Sequence, residues 1–285
     1  MIPAAFDYLR VQSVAEAVEA LTEHGDEAKL LAGGQSLLPL LRLRLAYPSV
    51  VIDLDRVDEL RGVREDGDVI VIGAMTTHYA VIHDALIKEH CGVLSQVTAL
   101  IGDPQVRNRG TFGGALAHAD PAGDLPAVAL ALDAEMVVRG PNGERRIPAA
   151  EFFIDYLQSA LGPDEILVSV RVPKLVGQWG YDYQKFHRVA QAWAIVGACA
   201  VVRRDNGSIA QARIGLTNMG PTPIRAAGVE AALRGADAHG GQLREAAELA
   251  AEGTSPPADL HGQPDYRRAL ARILTRRAVE HAVGR

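Results

Sequence analysis

Two paired-glycine segments, Ala32-Gly33-Gly34-Gln35-Ser36 and Thr111-Phe112-Gly113-Gly114-Ala115, constrain this chain more than any other feature. Each follows a stretch that reads as a buried strand or a turn. Glycine has no Cβ, so main-chain N–H groups can approach an anion closely and positive φ costs little. Two such loops suit the two sides of one diphosphate. Neither is the Gly-x-Gly-x-x-Gly of a nicotinamide-binding strand-to-helix turn. A lone Gly pair is also an ordinary turn, so the surrounding chemistry has to choose between cradle and turn. Ser36 and Thr111 can each add a hydroxyl donor to a phosphate oxygen, and a helix beginning after Ser36 would aim its positive end there.

Ser13-Val14-Ala15-Glu16 is a capping box, and the apolar spacing after it predicts a first helix to about residue 23, stopped by Gly25. Residues 29–32 read as a short buried strand feeding the first Gly pair, and residues 37–45 as helix beyond it. Residues 49–54 and 69–73 are apolar β-branched runs, with a turn at Asp66-Gly67 between them, and both are expected in one sheet. Thr77 can cap a helix, residues 93–101 offer another, and residues 102–110 read as a polar connection delivering the second pair. A helix over 124–133 takes Pro126 in its first turn. Residues 135–139 and 145–148 flank the hairpin signal Pro141-Asn142-Gly143, and 165–172 is the last strand of this region.

Residues 173–180 carry Pro, two Gly and little periodicity, which places a boundary between domains at 1–175 and 180–285. After it, residues 194–203 and 208–216 read as a hairpin around Asp205-Asn206-Gly207, and residues 224–233, 242–251 and 266–283 as helices.

The chain of 285 residues is 48% hydrophobic, enough for sizeable cores in about two domains of roughly 150 residues each. A formal charge of −6 without Lys/Arg runs predicts no nucleic-acid partner. The longest apolar run, residues 192–202, falls short of the roughly 18 residues of a membrane span. The first ten residues lack a secretory pattern, so a cytoplasmic location is expected, with attachment to the inner face of the membrane through partners left open. Cys91 and Cys199 are the only cysteines, too few for a four-thiolate iron–sulfur site, and both are expected to be buried. No His, Cys and carboxylate cluster has ligand spacing. His78, His118 and His187 accompany no nucleophile motif and read as structural or solvent-facing. Arg267, Arg268, Arg272, Arg276 and Arg277 read as a solvated helix face rather than an anion site.

Asp120 and Asp124 frame a Pro- and Gly-containing turn after the second Gly pair. Two readings are open: either carboxylate caps the following helix, or it accepts hydrogen bonds from the hydroxyls of a cofactor's sugar or ribityl chain.

Ala32 to Leu37, Ile101-Gly102-Asp103-Pro104-Gln105-Val106-Arg107, Thr111 to Gly114 and Asp120 to Leu125 together resemble the FAD-binding subunit of molybdenum hydroxylases, in the carbon monoxide dehydrogenase branch of that family. The similarity runs from Met1-Ile2-Pro3 to the helical end. It implies an α+β chain, with a two-subdomain FAD-binding domain of the vanillyl-alcohol-oxidase/PCMH type followed by a small sheet-plus-helices C-terminal domain. By the same resemblance, Ala32, Gly33, Gly34, Gln35, Ser36 and Leu37 with Thr111, Gly113, Gly114 and Ala115 hold the FAD diphosphate. Ile101 and Leu167 line the flavin and adenine ends, Asp120 and Asp124 hold hydroxyls, and Lys185 lies near the flavin ring. Trp193 either stacks beside the isoalloxazine or is an ordinary core or interface residue. Gln35 stands where the family often has His, and Ala115 where Asn is common.

The resemblance further implies a large molybdenum-cofactor subunit and a small subunit carrying two 2Fe-2S iron–sulfur clusters, assembled as a dimer of heterotrimers. This chain would take electrons from the clusters and hand them to an external acceptor such as a quinone, without catalytic residues or metal ligands of its own. A purine or N-heteroaromatic substrate for the complex, and a non-catalytic binding protein, are the alternatives.

Overall fold

A computed structural model describes residues 2–284, leaving Met1 and Arg285 outside the described residues. Strand β1 (Asp7–Arg10) leads through the helix Val14–His24 to β2 (Ala28–Leu31), and β2 through the helix Leu37–Leu43 to β3 (Val50–Asp53). The three strands form a parallel sheet ordered β1-β3-β2. Ser13 Oγ accepts from the Glu16 N–H at 3.1 Å and the Glu16 carboxylate accepts from the Gln12 N–H at 2.8 Å, a cap that contributes roughly 1 kcal/mol. The helix buries Val14, Ala17, Val18 and Leu21 against Val50 and Ile52 of the central strand.

A second, antiparallel sheet is ordered β4-β5-β10-β6-β7, from β4 (Val63–Asp66), β5 (Val69–Gly73), β6 (Glu135–Gly140), β7 (Gly143–Pro148) and β10 (Ile166–Pro173); β8 (Phe153–Asp155) and β9 (Gln158–Ser159) pair separately. The apolar runs at 49–54 and 69–73 therefore belong to different sheets. The Asp66-Gly67 turn instead joins β5 to β4, whose Arg64, Glu65 and Asp66 are exposed and lack any apolar signature. Between β5 and β6 the chain forms six short helices from His78 to Ala131. Residues 102–110 are not a plain connection. They contain the helix Pro104–Arg109, with Pro104 in its first turn and Asp103 Oδ1 accepting from the Val106 N–H at 2.9 Å.

The remaining strands, β11 (Trp179–Phe186), β12 (Val196–Asp205), β13 (Ser208–Thr217) and β14 (Ile224–Arg225), form an antiparallel sheet in that order. Strand β12 is apolar on both faces for a visible reason. Val196, Ala198, Ala200 and Val202 pack on the C-terminal helices Ala227–Leu233, Gln242–Glu248 and Pro264–Gly284. Cys199 and Val201, with Tyr183 of β11, join the core of the preceding domain instead. Period-two alternation thus serves two cores rather than one core and solvent. Both cysteines are fully buried, and burial raises their thiol pKa values well above the ordinary range.

The arginines of the last helix do not all face water. Arg267 is fully buried, donating through Nη2 to both oxygens of Asp259 at 2.7 Å and through Nη1 to the Ile195 carbonyl. Its neighbours are partly exposed and pair weakly, Arg268 with Asp265 at 3.1 Å and Arg276 with Glu280 at 3.7 Å.

The helix Asp124–Ala131 lies directly on β13, so that a Cβ at Gly215 would stand 2.2 Å from the Ala127 carbonyl oxygen. Backbone cannot yield as a flexible side chain does. Gly215→Ala is expected to destabilise the chain by about 1–3 kcal/mol, read as a lower urea midpoint with an unchanged slope.

Candidate functional site

A cavity of about 730 Å³ opens between the parallel sheet, the loops around the second Gly pair and the edge of the C-terminal sheet. Every candidate residue named from the sequence lines it: Ala32 to Leu37, Ile101, Thr111, Gly113, Gly114, Ala115, Asp120, Asp124, Leu167, Lys185 and Trp193. The two Gly pairs, far apart in sequence, meet here. A Cβ on Gly33 would lie 2.2 Å from the Arg109 carbonyl oxygen and 2.7 Å from Gly110 Cα, and one on Gly114 would lie 3.4 Å from Ala32 Cβ. Gly33 can approach the Arg109–Gly110 backbone this closely only without a side chain, whereas the Gly114–Ala32 spacing is ordinary contact.

The first loop leaves β2 and enters the helix Leu37–Leu43, with Gly34 at φ 77° and its carbonyl accepting from the Leu38 N–H at 3.1 Å. Among the described residues, no N–H of Gly33, Gly34, Gln35 or Ser36 donates to another group of the chain, and the Ser36 hydroxyl has no partner. Gln35 Nε2 turns back to the Gly33 carbonyl at 3.1 Å. A run of free N–H groups on a cavity wall at the start of a helix suits an anion.

The second loop is built differently. Its Phe112 and Gly113 N–H groups donate to the Thr76 and Ala74 carbonyls at 2.9 Å, the Gly114 N–H to Thr111 Oγ1 at 3.2 Å and the Ala115 N–H to the Thr111 carbonyl at 3.1 Å. The Thr111 hydroxyl therefore caps its own helix, Phe112–His118, and retains its proton for another acceptor. The cradle is asymmetric, with free amides on the first loop and a tightly bonded wall on the second.

Neither acidic residue caps the helix Asp124–Ala131, whose N-cap is Gly123 without a side-chain bond. Asp120 Oδ1 accepts from the Ala122 N–H at 2.9 Å, and its second oxygen has no partner among the described residues. Asp124 is buried and accepts from the Tyr183 hydroxyl at 2.7 Å and from Lys185 Nζ at 2.6 Å, and the Tyr183 hydroxyl also meets Thr217 Oγ1 at 3.0 Å. Burial raises the Asp124 pKa, opposed by the Lys185 charge and the two hydrogen bonds. A carboxylate has about four acceptor sites, so Asp124 keeps capacity for a ligand hydroxyl. Lys185, 4% exposed in its side chain, reaches the cavity as half of an ion pair rather than as a free cation.

Trp193 is 55% exposed and stands at the cavity on the segment between β11 and β12, so it is not a core residue. Leu40, Leu161 and Gln191 also line the cavity and are not named by the sequence, and so do His78 and His118, which the sequence reads as structural or solvent-facing. None of the first three stands in a glycine or carboxylate motif, and only the fold brings them near one. Among the described residues no group of His, Cys, Asp and Glu could hold a metal, and no helix is long and apolar enough to cross a membrane.

His78 donates its N–H to the Gly110 carbonyl at 2.9 Å, and its ring lies against Gly110, with Nδ1 buried and unpartnered. Burial, helped by the Arg107 charge, lowers its pKa to about 4. The folded chain therefore keeps His78 neutral where the unfolded chain, with a pKa near 6.5, takes up a proton. This stability is present above about pH 6.5 and is lost as pH falls toward 4, by up to about 1.4 kcal/mol per pH unit. Urea unfolding at pH 7 and pH 5 should show that loss, and the loss should be smaller in His78→Gln.

Residues 4–175 match the family described as the FAD binding domain in molybdopterin dehydrogenase, and residues 181–282 match the CO dehydrogenase flavoprotein C-terminal domain. The carbon monoxide dehydrogenase medium chain of Hydrogenophaga pseudoflava is 41% identical over 285 residues, covering 100% of this chain and 99% of the relative. The 6-hydroxypseudooxynicotine dehydrogenase complex subunit alpha of Paenarthrobacter nicotinovorans is 38% identical, covering 100% of this chain and 97% of the relative. A solved structure of Hydrogenophaga pseudoflava carbon monoxide dehydrogenase superimposes with a TM-score of 0.97 at 43% identity, covering 100% of this chain and 99% of that one. The chain belongs to the FAD-binding flavoprotein subunits of molybdenum hydroxylases, oxidoreductase components of the carbon monoxide dehydrogenase type.

Proposed function

We propose that this chain is the flavoprotein subunit of a carbon monoxide dehydrogenase, relaying electrons between an iron–sulfur partner and an external acceptor such as a quinone. The observation that carries the reading is the run of free N–H groups at Gly33 to Ser36, set in a large cavity whose other walls hold the Thr111 hydroxyl, carboxylates and an aromatic ring. FAD, when bound, supplies one- and two-electron transfer. The Gly33 to Ser36 amides and the Ser36 hydroxyl would hold its diphosphate, with the proton of Thr111 available from the opposite wall. Asp120, through its unpartnered oxygen, and Asp124 would accept from sugar or ribityl hydroxyls. Trp193 would cover an exposed ring face, while Ile101 and Leu167 exclude water. Lys185 is ion-paired with Asp124, so Asp124 would in part cancel its charge at the ring.

The relay role accords with what the chain lacks. Two buried cysteines cannot ligate a cluster, and among the described residues neither hydroxyl of the cavity, Ser36 or Thr111, is hydrogen-bonded to a His or a carboxylate. Substrate oxidation then falls to a large molybdenum-cofactor chain and cluster transfer to a small chain with two 2Fe-2S clusters. We place the three chains together as a dimer of heterotrimers, a heterohexamer in the cytoplasm whose partners can bring it to the inner face of the membrane. A second reading, the same subunit serving an N-heteroaromatic substrate, is favoured by the 38% identity to the 6-hydroxypseudooxynicotine enzyme.

Two measurements test this. Ser36→Asp sets a carboxylate against the diphosphate and should weaken FAD binding by about tenfold or more, the equivalent of about 1.4 kcal/mol, with the melting curve unchanged. Equal affinity would overturn the placement of the diphosphate. In the complex purified with its partner chains, carbon monoxide should bleach the flavin absorbance without added reductant. Bleaching only by an N-heteroaromatic compound would support the second reading.

A further inference from the structure

Asn218 follows the last residue of β13 and is buried, in the left-handed conformation at φ 60°. Its backbone N–H donates to the Pro121 carbonyl at 2.8 Å, and its side-chain Nδ2 donates to the Ala194 carbonyl at 2.8 Å. Pro121 lies in the turn between Asp120 and Asp124, and Ala194 is bonded directly to Trp193. One residue of the C-terminal sheet therefore grips both the acidic turn and the aromatic segment of the cavity. Its neighbour Thr217 reaches Asp124 through the Tyr183 hydroxyl, so the end of β13 meets the acidic turn twice.

The Trp193 segment needs such a grip. Residues 188–191 are exposed, and the segment's own bonds are local or superficial, between His187 Nδ1 and the Val189 carbonyl at 2.7 Å, from the Ala192 N–H to the Val189 carbonyl at 2.9 Å and from Gln191 Nε2 to Asp103 at 3.0 Å. Among the described residues, buried holds come at its C-terminal end, from Asn218 on the Ala194 carbonyl, from Arg267 on the Ile195 carbonyl and from the Ile195 N–H to the Phe186 carbonyl at 2.8 Å. Asparagine fits the position on two counts, since it tolerates the left-handed region better than other side chains and its amide can donate to a carbonyl.

We propose that Asn218 is a positioning residue for the flavin cavity, fixing Trp193 and the Asp120 turn relative to each other from the C-terminal domain. The proposal rests on the reading of the cavity as an FAD site. Asn218→Gly keeps the left-handed backbone and the N–H bond to Pro121 while removing the bond to Ala194. Asn218→Asp keeps the size but, ionised, turns an acceptor toward the Ala194 carbonyl in place of a donor.

The test uses the full chain with Trp179→Phe, which leaves Trp193 as the sole tryptophan, because the sequence has two. Both Asn218 variants should lower the fluorescence anisotropy of Trp193 without FAD and weaken FAD binding by about tenfold, while still melting cooperatively at a temperature below the parent's because the Ala194 carbonyl loses its donor. If Asn218→Gly fails to fold, Asn218→Asp carries the comparison. Unchanged anisotropy in the folded variants overturns the positioning role, whatever FAD does. A parent chain that binds no FAD overturns the flavin reading, and the anisotropy still decides what Asn218 does.

Discussion

The carboxylate of Asp124 is the polar link on which the arrangement of the two domains depends. It begins a helix of the N-terminal domain, yet its partners Tyr183 and Lys185 belong to the C-terminal sheet. Burying a carboxylate, an ammonium and a phenol together is costly unless each is paired, and here each is. Removing one partner would strand the others in a dry interface, whereas the surrounding apolar contacts are individually replaceable. The link fixes direction as well as distance, because hydrogen bonds from two adjacent β11 side-chain positions on one face converge on a single carboxylate. The helix Asp124–Ala131 is thereby held against β13, and the cavity takes its shape from that seating.

The glycines solve the opposite problem, close approach without contact chemistry of their own. Gly33 lets one loop press against the Arg109–Gly110 backbone, so that amides on the first loop and the Thr111 hydroxyl on the second face a common space. The division of labour between the loops is physical. A turn whose N–H groups are bonded to Ala74, Thr76 and Thr111 is rigid, and a turn with four free donors is poised for an anion.

Much of this was legible in the sequence, and the omissions have identifiable reasons. Ser13 with Glu16, Thr77 and the Asp205-Asn206-Gly207 turn are local signals, and the structure realises each of them locally. Strand β4 was missed because Arg64, Glu65 and Asp66 at a sheet edge carry no apolar period. The separation of residues 49–54 from 69–73 is a matter of tertiary pairing, which two equally apolar runs cannot encode. Arg267 was read as solvated because its neighbours are; its burial depends on Asp259 and Ile195, which pattern along one helix does not reveal. In the site, glycines and carboxylates announced themselves by motif. Lys185 and Trp193 were reached only through family resemblance, and the bond between Asp124 and Lys185 only through the fold.

Strand β12 serves two cores, with alternate side chains facing the C-terminal helices and the N-terminal domain. Each family domain is therefore missing a wall that the other provides. Cutting the chain between residues 175 and 181 would bare Cys199, Val201 and Tyr183 on one piece and the helix Asp124–Ala131 on the other. Neither piece would be a soluble module ready for recombination with a new neighbour. A change in either domain is therefore judged by how well it still fits its companion.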